Sequence, residues 1–228
     1  MQTTLLVAGT AVGVGKTLVT LAIATYHQTY VPTRPLALFK LIDAGSGDAI
    51  RFREQLSLTQ PPNSFAPCQL RSRLAPPLAA QEEGVQINLA EIWRQYQALT
   101  QDYDVVLVES CGGLGTPLTF ETTVADLAWD WRLPTVLVVP VQAGAIGEAI
   151  AYVALARQFR VHLKGIFLNT LHPCSDEEAE QLAPASLIQS LTQVPVLGRI
   201  PYVDDPNDLA KLAHIVSNFD IERLLPLI

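Results

Sequence analysis

A glycine-rich run that follows a short apolar segment constrains this chain more than any other feature. The run, Gly9–Thr17, has the sequence GTAVGVGKT. The segment before it, Thr4–Ala8, is typical of a buried strand, and Lys16–Tyr26 after it has helical spacing. A strand, a glycine turn and a helix in succession bring backbone N–H groups and the helix dipole to one point, where they can surround phosphate oxygens. The run therefore predicts a phosphate-binding loop.

The last two residues of the loop carry its chemistry. Lys16 can reach the β- and γ-phosphates of a nucleotide, and the Thr17 hydroxyl can hold Mg²⁺. Five residues separate Gly9 from Gly15, one more than in the usual pattern. A glycine turn without a ligand is the alternative, but the glycines, lysine and threonine at this offset favour a site for a nucleoside triphosphate.

The rest of the chain alternates between strand and helix patterns. The predicted strands after the first are Leu36–Lys40, Val105–Val108, Thr135–Pro140, Gly165–Asn169 and a short Leu197–Ile200. The predicted helices after Lys16–Tyr26 are Leu89–Leu99, Val124–Trp131, Ala145–Gln158 and a closing Pro206–Ser217 with Asp205 as its N-cap. Continuous apolar strands are typical of a parallel sheet covered on both faces. We predict one α/β domain over residues 1–228, a doubly wound, mostly parallel sheet with helices on both faces.

Two long connections interrupt this alternation. Ser57–Pro77 is rich in proline, serine and glutamine, and we expect irregular structure on the surface there. Pro173–Pro184 is acidic, with a helix-prone centre.

Composition excludes several classes of protein. The chain is 49% hydrophobic and 16% charged, so intrinsic disorder is excluded. A net charge of −7 argues against a nucleic-acid-binding surface. Three widely spaced cysteines favour a reducing compartment. With no apolar run of about 18 residues and no basic segment at Met1–Ala8, we expect a cytoplasmic protein that binds no membrane.

Charged side chains follow the strands that would flank the loop. Glu109 ends an apolar strand, where an acid faces a metal ion or orients a water in phosphate-loop proteins. Lys40 ends another strand and can neutralise charge that develops during phosphoryl transfer. Asp48 can supply a second carboxylate to Mg²⁺, and Gly112, beside Gly113, lets the chain pass close to phosphates. Asn169 could contact a purine edge or cap a turn.

Taken in order, the motifs resemble those of the dethiobiotin synthetase family over nearly the whole chain. The matching pieces are Gly9–Thr17, Lys40, Asp48-Ala49, Leu74–Ala80 with Glu83-Gly84, Val108–Pro117, Leu133–Val138, Gly165, Asn169 and Leu197–Pro201. The loop alone is specific only to the phosphate-loop NTPase superfamily, whereas the ordered series is much more specific to this family.

The resemblance implies an activity. Members of the family are homodimers that close the ureido ring of dethiobiotin from 7,8-diaminononanoate, CO₂ and ATP with Mg²⁺. A substrate carbamate attacks the γ-phosphate, and the second amine then displaces phosphate from the mixed anhydride. Matching positions make Lys16 and Lys40 catalytic and place Val12, Lys40 and Ala44 at the diamine. The metal ligands implied are Thr17, Asp48 and Glu109. The ATP contacts implied are Gly13, Val14, Gly15, Lys16, Thr17, Leu18, Asp48, Glu109, Gly112, Asn169, Thr170, Pro201, Tyr202 and Val203.

This chain departs from the family pattern at several positions near the diamine. The family usually has Asp and Thr at Ala11 and Val12 and Ser or Thr at Ala44. Near the carboxylate end of the substrate it has Asn-His where this chain has Gly147-Glu148. The departures keep two alternatives open. One is a phosphate-loop ATPase that switches a partner, as partition and septum-site ATPases do, although their extra loop lysine is Ala11 here. The other is a family member that binds ATP and acts only as a regulatory subunit.

Overall fold

The computed structural model describes residues 2–45 and 47–225, and its central feature in that part of the chain is a parallel six-stranded sheet. In chain order the strands are β1 (Thr3–Gly9), β2 (Leu36–Lys40), β3 (Asp43–Ala44), β4 (Gln69–Leu70), β5 (Val105–Gly113), β6 (Thr135–Pro140), β7 (Leu163–Asn169) and β8 (Val196–Ile200). The sheet has the order β2-β5-β1-β6-β7-β8, and β3 pairs with β4 beside it. The predicted fold class is confirmed.

Helices connect successive strands on both faces of this sheet. They are α1 (Lys16–Tyr30), α2 (Asp48–Gln55), α3 (Pro76–Glu83), α4 (Leu89–Asp102), α5 (Val124–Asp130), α6 (Ala145–Gln158), α7 (Asp176–Leu182), α8 (Ala185–Thr192) and α9 (Leu209–Ser217). Apolar side chains of α1, α2 and α9 pack on one face of the sheet, and those of α3 to α8 pack on the other. None of the helices within the described ranges is both long and apolar enough to cross a bilayer.

Alternation along β1 shows how the strands supply both cores. Leu5 and Val7 lie in the core beneath α1, whereas Leu6 and Ala8 lie in the core of the opposite face. All four are fully buried. A strand with two covered faces needs apolar residues at every position, which is why the sequence shows apolar runs without polar alternation.

The predicted strands and helices are found with small shifts at their ends, except at two places. β5 continues from Val108 to Gly113, so Glu109 lies within the strand and does not end it. Asp205 does not cap the closing helix: α9 starts at Leu209, and the Asp208 carboxylate accepts the Lys211 N–H at 3.0 Å. Asp205 instead accepts the N–H of Asn207, which holds the turn before the helix.

The expectation of irregular surface structure over Ser57–Pro77 is wrong in part. Phe65 and Ala66 are buried in the core beneath α1 and α2. Gln60 is 4% exposed, and its amide bonds both the N–H and the carbonyl of Leu38. This segment therefore covers the edge of β2. A polar side chain that suggested a surface loop, Gln60, instead forms hydrogen bonds with the unpaired backbone groups of that edge strand.

Candidate functional site

The glycine loop joins β1 to α1, between a strand and a helix as the sequence predicts. Gly13 and Gly15 have φ values of 81° and 88°. Residues other than glycine rarely adopt such positive φ values. Lys16 is the first residue of α1, and its ammonium donates to the carbonyl of Ala11 at 2.9 Å. Burial lowers the pKa of Lys16. The loop thus folds around its own lysine.

Two acids and two polar side chains meet beside this loop. The Lys40 ammonium lies 2.5 Å from Asp48 Oδ2 and 2.5 Å from Glu109 Oε1. The Thr17 hydroxyl lies 3.0 Å from Asp48 Oδ1 and 3.1 Å from Glu109 Oε1, and donates its proton to this pair. Glu109 is fully buried and Lys40 is 3% exposed. Burial acts to lower the pKa of Lys40, but the charges of Glu109 and Asp48 outweigh it and raise the pKa above its usual value.

Strand register brings these residues together. Glu109 on β5 lies opposite Lys40 on β2 and opposite Val7 on β1, two residues before the loop begins. Asp48 arrives from the start of α2, whose entry is held by the Asp43 carboxylate. Asp43 accepts the N–H groups of Gly47 and Ala49 at 3.1 and 3.2 Å. Ser46 of this turn lies outside the described residues.

The oxygen atoms in this cluster form a donor set that fits Mg²⁺. Thr17, Asp48 and Glu109 present one hydroxyl and two carboxylates that already share a cation, the Lys40 ammonium. Mg²⁺ prefers hard oxygen ligands of this kind. Thr20 on the next turn of α1 donates to Glu109 Oε2 at 2.8 Å and so fixes the second carboxylate oxygen.

A pocket of about 550 Å³ opens beside the loop and the acids. It takes in the predicted residues Val12, Gly13, Gly15, Lys16, Thr17, Leu18, Lys40, Ala44 and Asp48. The rest of its wall is Ile42, Arg51, Arg73, Leu74, Ala75, Pro76, Cys111, Thr116 and Pro117. Val12 is 80% exposed at the mouth. Burial raises the pKa of Cys111 to about 11, so its thiol stays protonated at neutral pH.

Two residues predicted to contact ATP, Asn169 and Thr170, lie on the other side of the loop, where β7 ends. Asn169 ends β7, and its amide donates to the carbonyl of Val14 at 3.0 Å. Thr170 follows and bonds β8 through its backbone. The Asn169 Oδ1 and the Thr170 hydroxyl are buried and have no hydrogen-bond partner among the described residues. Two orphaned polar atoms at this place suit a polar ligand.

The remaining residues predicted to contact ATP lie outside the pocket wall. Pro201 to Val203 follow β8, with Pro201 exposed and Val203 buried. Gly112 lies behind the pocket wall, where an added Cβ would meet Thr116 Oγ1 at 2.4 Å. Within the described residues, the pocket is not lined by several of the predicted ATP contacts, namely Glu109, Gly112, Asn169, Thr170 and Pro201 to Val203.

Among the residues near the site that the sequence did not predict, four have side chains that hold the acids or bring charge to the pocket. Asp43 and Thr20 hold the acids, and Arg51 and Arg73 line the pocket. Thr20 could have been found, because it lies three residues after Thr17 on the same face of α1. The other three depend on the path of the connection between β2 and α3, which no local pattern specifies.

The comparisons with known proteins agree with this geometry. A family model described as an AAA domain matches residues 3–208. An ATP-dependent dethiobiotin synthetase of Gloeothece citriformis is 47% identical, covering 98% of this chain and 99% of its own. The synthetase of Crocosphaera subtropica is also 47% identical, covering 98% and 100%.

Solved structures with low sequence identity show the same fold. A ParA family ATPase from Chlorobium tepidum has a TM-score of 0.56 at 11% identity, covering 99% of this chain and 94% of its own. The MinD cell division protein of Aquifex aeolicus has a TM-score of 0.58 at 15% identity, covering 94% and 88%. At these identities the likeness concerns the fold alone.

Fold and site together define a phosphate-loop nucleotide-binding protein. Sequence identity distinguishes a synthetase from a partition-type ATPase within that class. Four relatives that are 38–47% identical over nearly the whole chain are named as dethiobiotin synthetases. The ParA family ATPase and MinD match this chain in fold alone. The chain belongs to the ATP-dependent dethiobiotin synthetase family. The predicted class of enzyme, an ATP-dependent synthetase, is confirmed, and the switch-ATPase alternative is not favoured.

Proposed function

We propose that this protein forms dethiobiotin from 7,8-diaminononanoate, CO₂ and ATP in a Mg²⁺-dependent ring closure. The observation that carries the proposal is the cluster of Lys16, Thr17, Lys40, Asp48 and Glu109 at one edge of the sheet. A pocket with an apolar wall adjoins this cluster. The phosphate-binding groups and a space for an aliphatic substrate are therefore neighbours, as a phosphoryl transfer to that substrate requires.

The reaction brings two anions together. One amine takes up CO₂ to give a carbamate, whose oxygen attacks the γ-phosphorus while the bond to ADP breaks. The second amine then attacks the carbamate carbon and expels phosphate, which closes the ring. At an effective dielectric of about 20, two unit charges about 4 Å apart repel by roughly 4 kcal/mol. Cationic groups must offset this repulsion.

The chain's own residues would divide this work. Lys16 leaves the Ala11 carbonyl to bind phosphate oxygens, and Lys40 balances charge between the carbamate and the γ-phosphate. Thr17, Asp48 and Glu109 would hold Mg²⁺, which when bound would supply positive charge beside the phosphates. Val12 and Ala44 line the diamine side. The loop from Gly13 to Leu18 would cradle the phosphates, and Gly112 would let the chain pass close behind them.

Adenine would lie at the carboxyl ends of β7 and β8. The buried Asn169 Oδ1 and Thr170 hydroxyl supply unpaired polar atoms for it. Pro201, Tyr202 and Val203 follow β8 and would form the wall beside the base. Asn169 also donates to the loop carbonyl of Val14, which would couple base binding to loop position.

We further propose that residues 1–228 fold as one domain and act as a cytoplasmic homodimer. Both halves of the chain supply strands to the main sheet, which supports a single domain. The cysteines Cys68, Cys111 and Cys174 are free thiols, as suits a reducing compartment. The dimer is carried over from the family resemblance. Sedimentation of the purified protein at micromolar concentration tests it.

The activity is tested by following ADP release with and without 7,8-diaminononanoate and bicarbonate, while detecting dethiobiotin by mass. We expect ADP release to require both co-substrates and to match dethiobiotin one to one. ADP release that ignores the diamine would point to a simple ATPase. Nucleotide binding without either product would point to a regulatory subunit.

A further inference from the structure

A groove of about 370 Å³ runs between α4 and α5, on the face of the sheet opposite α1. Among the described residues it shares none with the pocket beside the phosphate loop. Its wall combines apolar side chains with one hydroxyl and one carboxylate, and consists of Leu89, Ala90, Trp93, Thr122, Leu127, Asp130 and Trp131. A space of this size and composition is typical of a site for a small molecule with an apolar part and one polar end.

The two tryptophans of the groove belong to a cluster of three aromatic rings. The ring centroids of Trp93 and Trp131 lie 4.8 Å apart, and the Tyr96 ring lies 5.4 and 5.3 Å from them. Tyr96 is 7% exposed and stacks on Trp131 with an interplanar angle of 18°, so it supports that indole from the core. The two indoles are half-buried and held by this packing. They therefore offer the groove a fixed aromatic surface, whose π faces carry negative charge density.

A carboxylate at this groove is not used by the chain itself. Asp130 is exposed, and its carboxylate has neither an ion pair nor a hydrogen bond within residues 2–45 and 47–225. Two other acids of the same helices are engaged: Glu91 pairs with Arg94, and Asp126 accepts the N–H of Thr123 in the cap of α5. The groove thus combines two indoles with an unpaired negative charge, and both features attract a cation.

The third tryptophan of the chain already has a cation over its ring. The guanidinium carbon of Arg160 lies 5.9 Å from the centre of the Trp129 ring. A cation within about 6 Å of an indole is attracted by its π electrons. In the described part of the chain, no such cation lies over Trp93 or Trp131. The indoles of the groove are therefore open to a cation from outside the chain.

We propose that the groove between α4 and α5 binds a small aliphatic ammonium ion. The ammonium group lies between the indoles and the Asp130 carboxylate, so that cation–π and Coulomb attraction act on the same charge. The alkyl chain packs against the apolar side chains of Leu89 and Leu127. The site does not depend on the proposed function, because it lies apart from the phosphate loop and its acids.

The test follows tryptophan fluorescence while n-butylammonium chloride replaces sodium chloride at constant ionic strength. At neutral pH this amine is protonated, since the amine of lysine has a pKa of about 10.4. We expect a saturable change in emission with a Kd of about 1 to 10 mM. The neutral analogue 1-butanol, with the same chain length, should bind at least about fivefold more weakly because it lacks the charge.

Variants locate the site. Asp130→Asn should weaken binding about 2- to 5-fold, the scale of one exposed ion pair. Its matched control is Asp102→Asn, at an exposed acid that ends α4, which should keep the wild-type Kd. Trp93→Leu should weaken binding about 3- to 30-fold, and Trp93→Phe should recover part of this loss. Trp129→Leu should leave the Kd within twofold of the wild type although one fluorophore is gone.

A second measurement does not depend on emission from Trp93. Saturation-transfer NMR from the indole protons to the butyl protons should give the same order of affinities, and circular dichroism should show an unchanged fold in each variant. Trp93→Leu packs against a cluster, so Asp130→Asn, at an exposed position, carries the test if Trp93→Leu unfolds.

Three results overturn the proposal. Equal binding of 1-butanol and n-butylammonium would mean that the groove is apolar without a preference for cations. Wild-type affinity in both Asp130→Asn and Trp93→Leu would place the amine elsewhere on the protein. Emission that changes when the protein is diluted, but not when the amine is added, would mean that a second copy of the chain covers the groove.

Discussion

Lys16 and Lys40 are two buried lysines with different surroundings, and the difference decides what each substitution does. Lys16 contacts only a loop carbonyl among its hydrogen-bond acceptors in the described chain, and burial lowers its pKa. Its charge is thus weakly compensated before phosphate arrives. Lys40 lies between two carboxylates. We therefore expect Lys16 to matter mainly for turnover and Lys40 for turnover, metal binding and stability.

Replacing Lys16 with Ala should lower ADP release by at least about 10²-fold, because the variant lacks the preorganised cation of the loop. Circular dichroism should show an unchanged fold. Lys211→Ala, at an exposed lysine of α9, is the matched control and should keep full activity. Turnover within tenfold of the wild type would exclude Lys16 from catalysis.

Replacing Lys40 with Met should have three effects. Diamine-dependent ADP release should fall by about two to three orders of magnitude. The nucleotide-free protein should lose about 3 kcal/mol of unfolding free energy, because Glu109 and Asp48 then face each other without a cation. Added Mg²⁺ should restore stability in the variant far more than in the wild type, where the Lys40 ammonium already lies between the acids.

Thermal melts with and without Mg²⁺ measure the last two effects of Lys40→Met. Lys211→Met controls for the loss of a lysine at the surface. Equal Mg²⁺-induced shifts in variant and wild type would mean that the ion and the ammonium do not share the two carboxylates.

At the scale of elements, the short turn between β3 and α2 controls the metal site. Asp43 binds the N–H groups of Gly47 and Ala49 and so places Asp48, the first residue of α2. We expect Asp43→Ala to raise the Mg²⁺ concentration for half-maximal activity by about 10-fold, as loss of an outer partner of a metal ligand does. A Mg²⁺ titration of ADP release measures it.

The control for Asp43→Ala is the cap of another helix. Asp208→Ala removes the cap of α9 and should cost about 1 kcal/mol of stability without changing the Mg²⁺ requirement. If both variants shift the Mg²⁺ midpoint alike, general loosening of the fold would explain the result and the turn would have no special part in metal binding.

Helices and strands with strong local patterns were predictable from the sequence. The residue that caps α9 and the long-range hydrogen bonds of Gln60 were not. The apolar run of β6 and the helical spacing of α6 predict the observed ends. The choice between Asp205 and Asp208 as cap depends on where the chain turns after β8, so local sequence favoured the wrong acid. Gln60 looked like a loop residue because its partner, Leu38, lies 22 residues away in sequence.

For the whole molecule, His27 should make stability depend on pH. It is 2% exposed within α1, its Nε2 has no hydrogen-bond partner among the described atoms, and burial lowers its pKa to about 4. In the unfolded chain His27 takes up a proton as the pH falls through about 6.5, whereas in the folded chain it stays neutral until the pH approaches 4. Stability is therefore fully present above pH 6.5 and is lost as pH falls from there towards 4.

The wild type should lose up to about 2 kcal/mol between pH 8 and pH 5 through this residue. Carboxylates titrate in the same range, so the measurement compares urea unfolding of the wild type with that of His27→Leu at both pH values. The difference between the two losses is the contribution of His27. Equal losses in both proteins would show that the pKa of His27 is not lowered in the folded state.

The predicted site was partly readable because its residues end or begin predicted elements. Lys16 and Thr17 start α1, Lys40 ends β2, and Glu109 follows an apolar run. Parallel strands bring such ends to one edge, so proximity followed from the fold class. Arg51 and Arg73 had no such signal, because their approach to the pocket depends on how the covering segment from α2 to α3 folds over the sheet.

The strand order also bears on how the protein is made. Lys16, Lys40, Asp48 and Glu109 all lie within the first 113 residues, on or beside β1, β2 and β5. Strand β6, which pairs with the other edge of β1, comes later in the chain. While a ribosome is still adding residues beyond β5, the emerging segment already contains all of these charged groups but leaves β1 with an open edge. Completion of β6 is thus the step of synthesis at which the edge of β1 beside the phosphate loop is paired and can no longer pair with another chain.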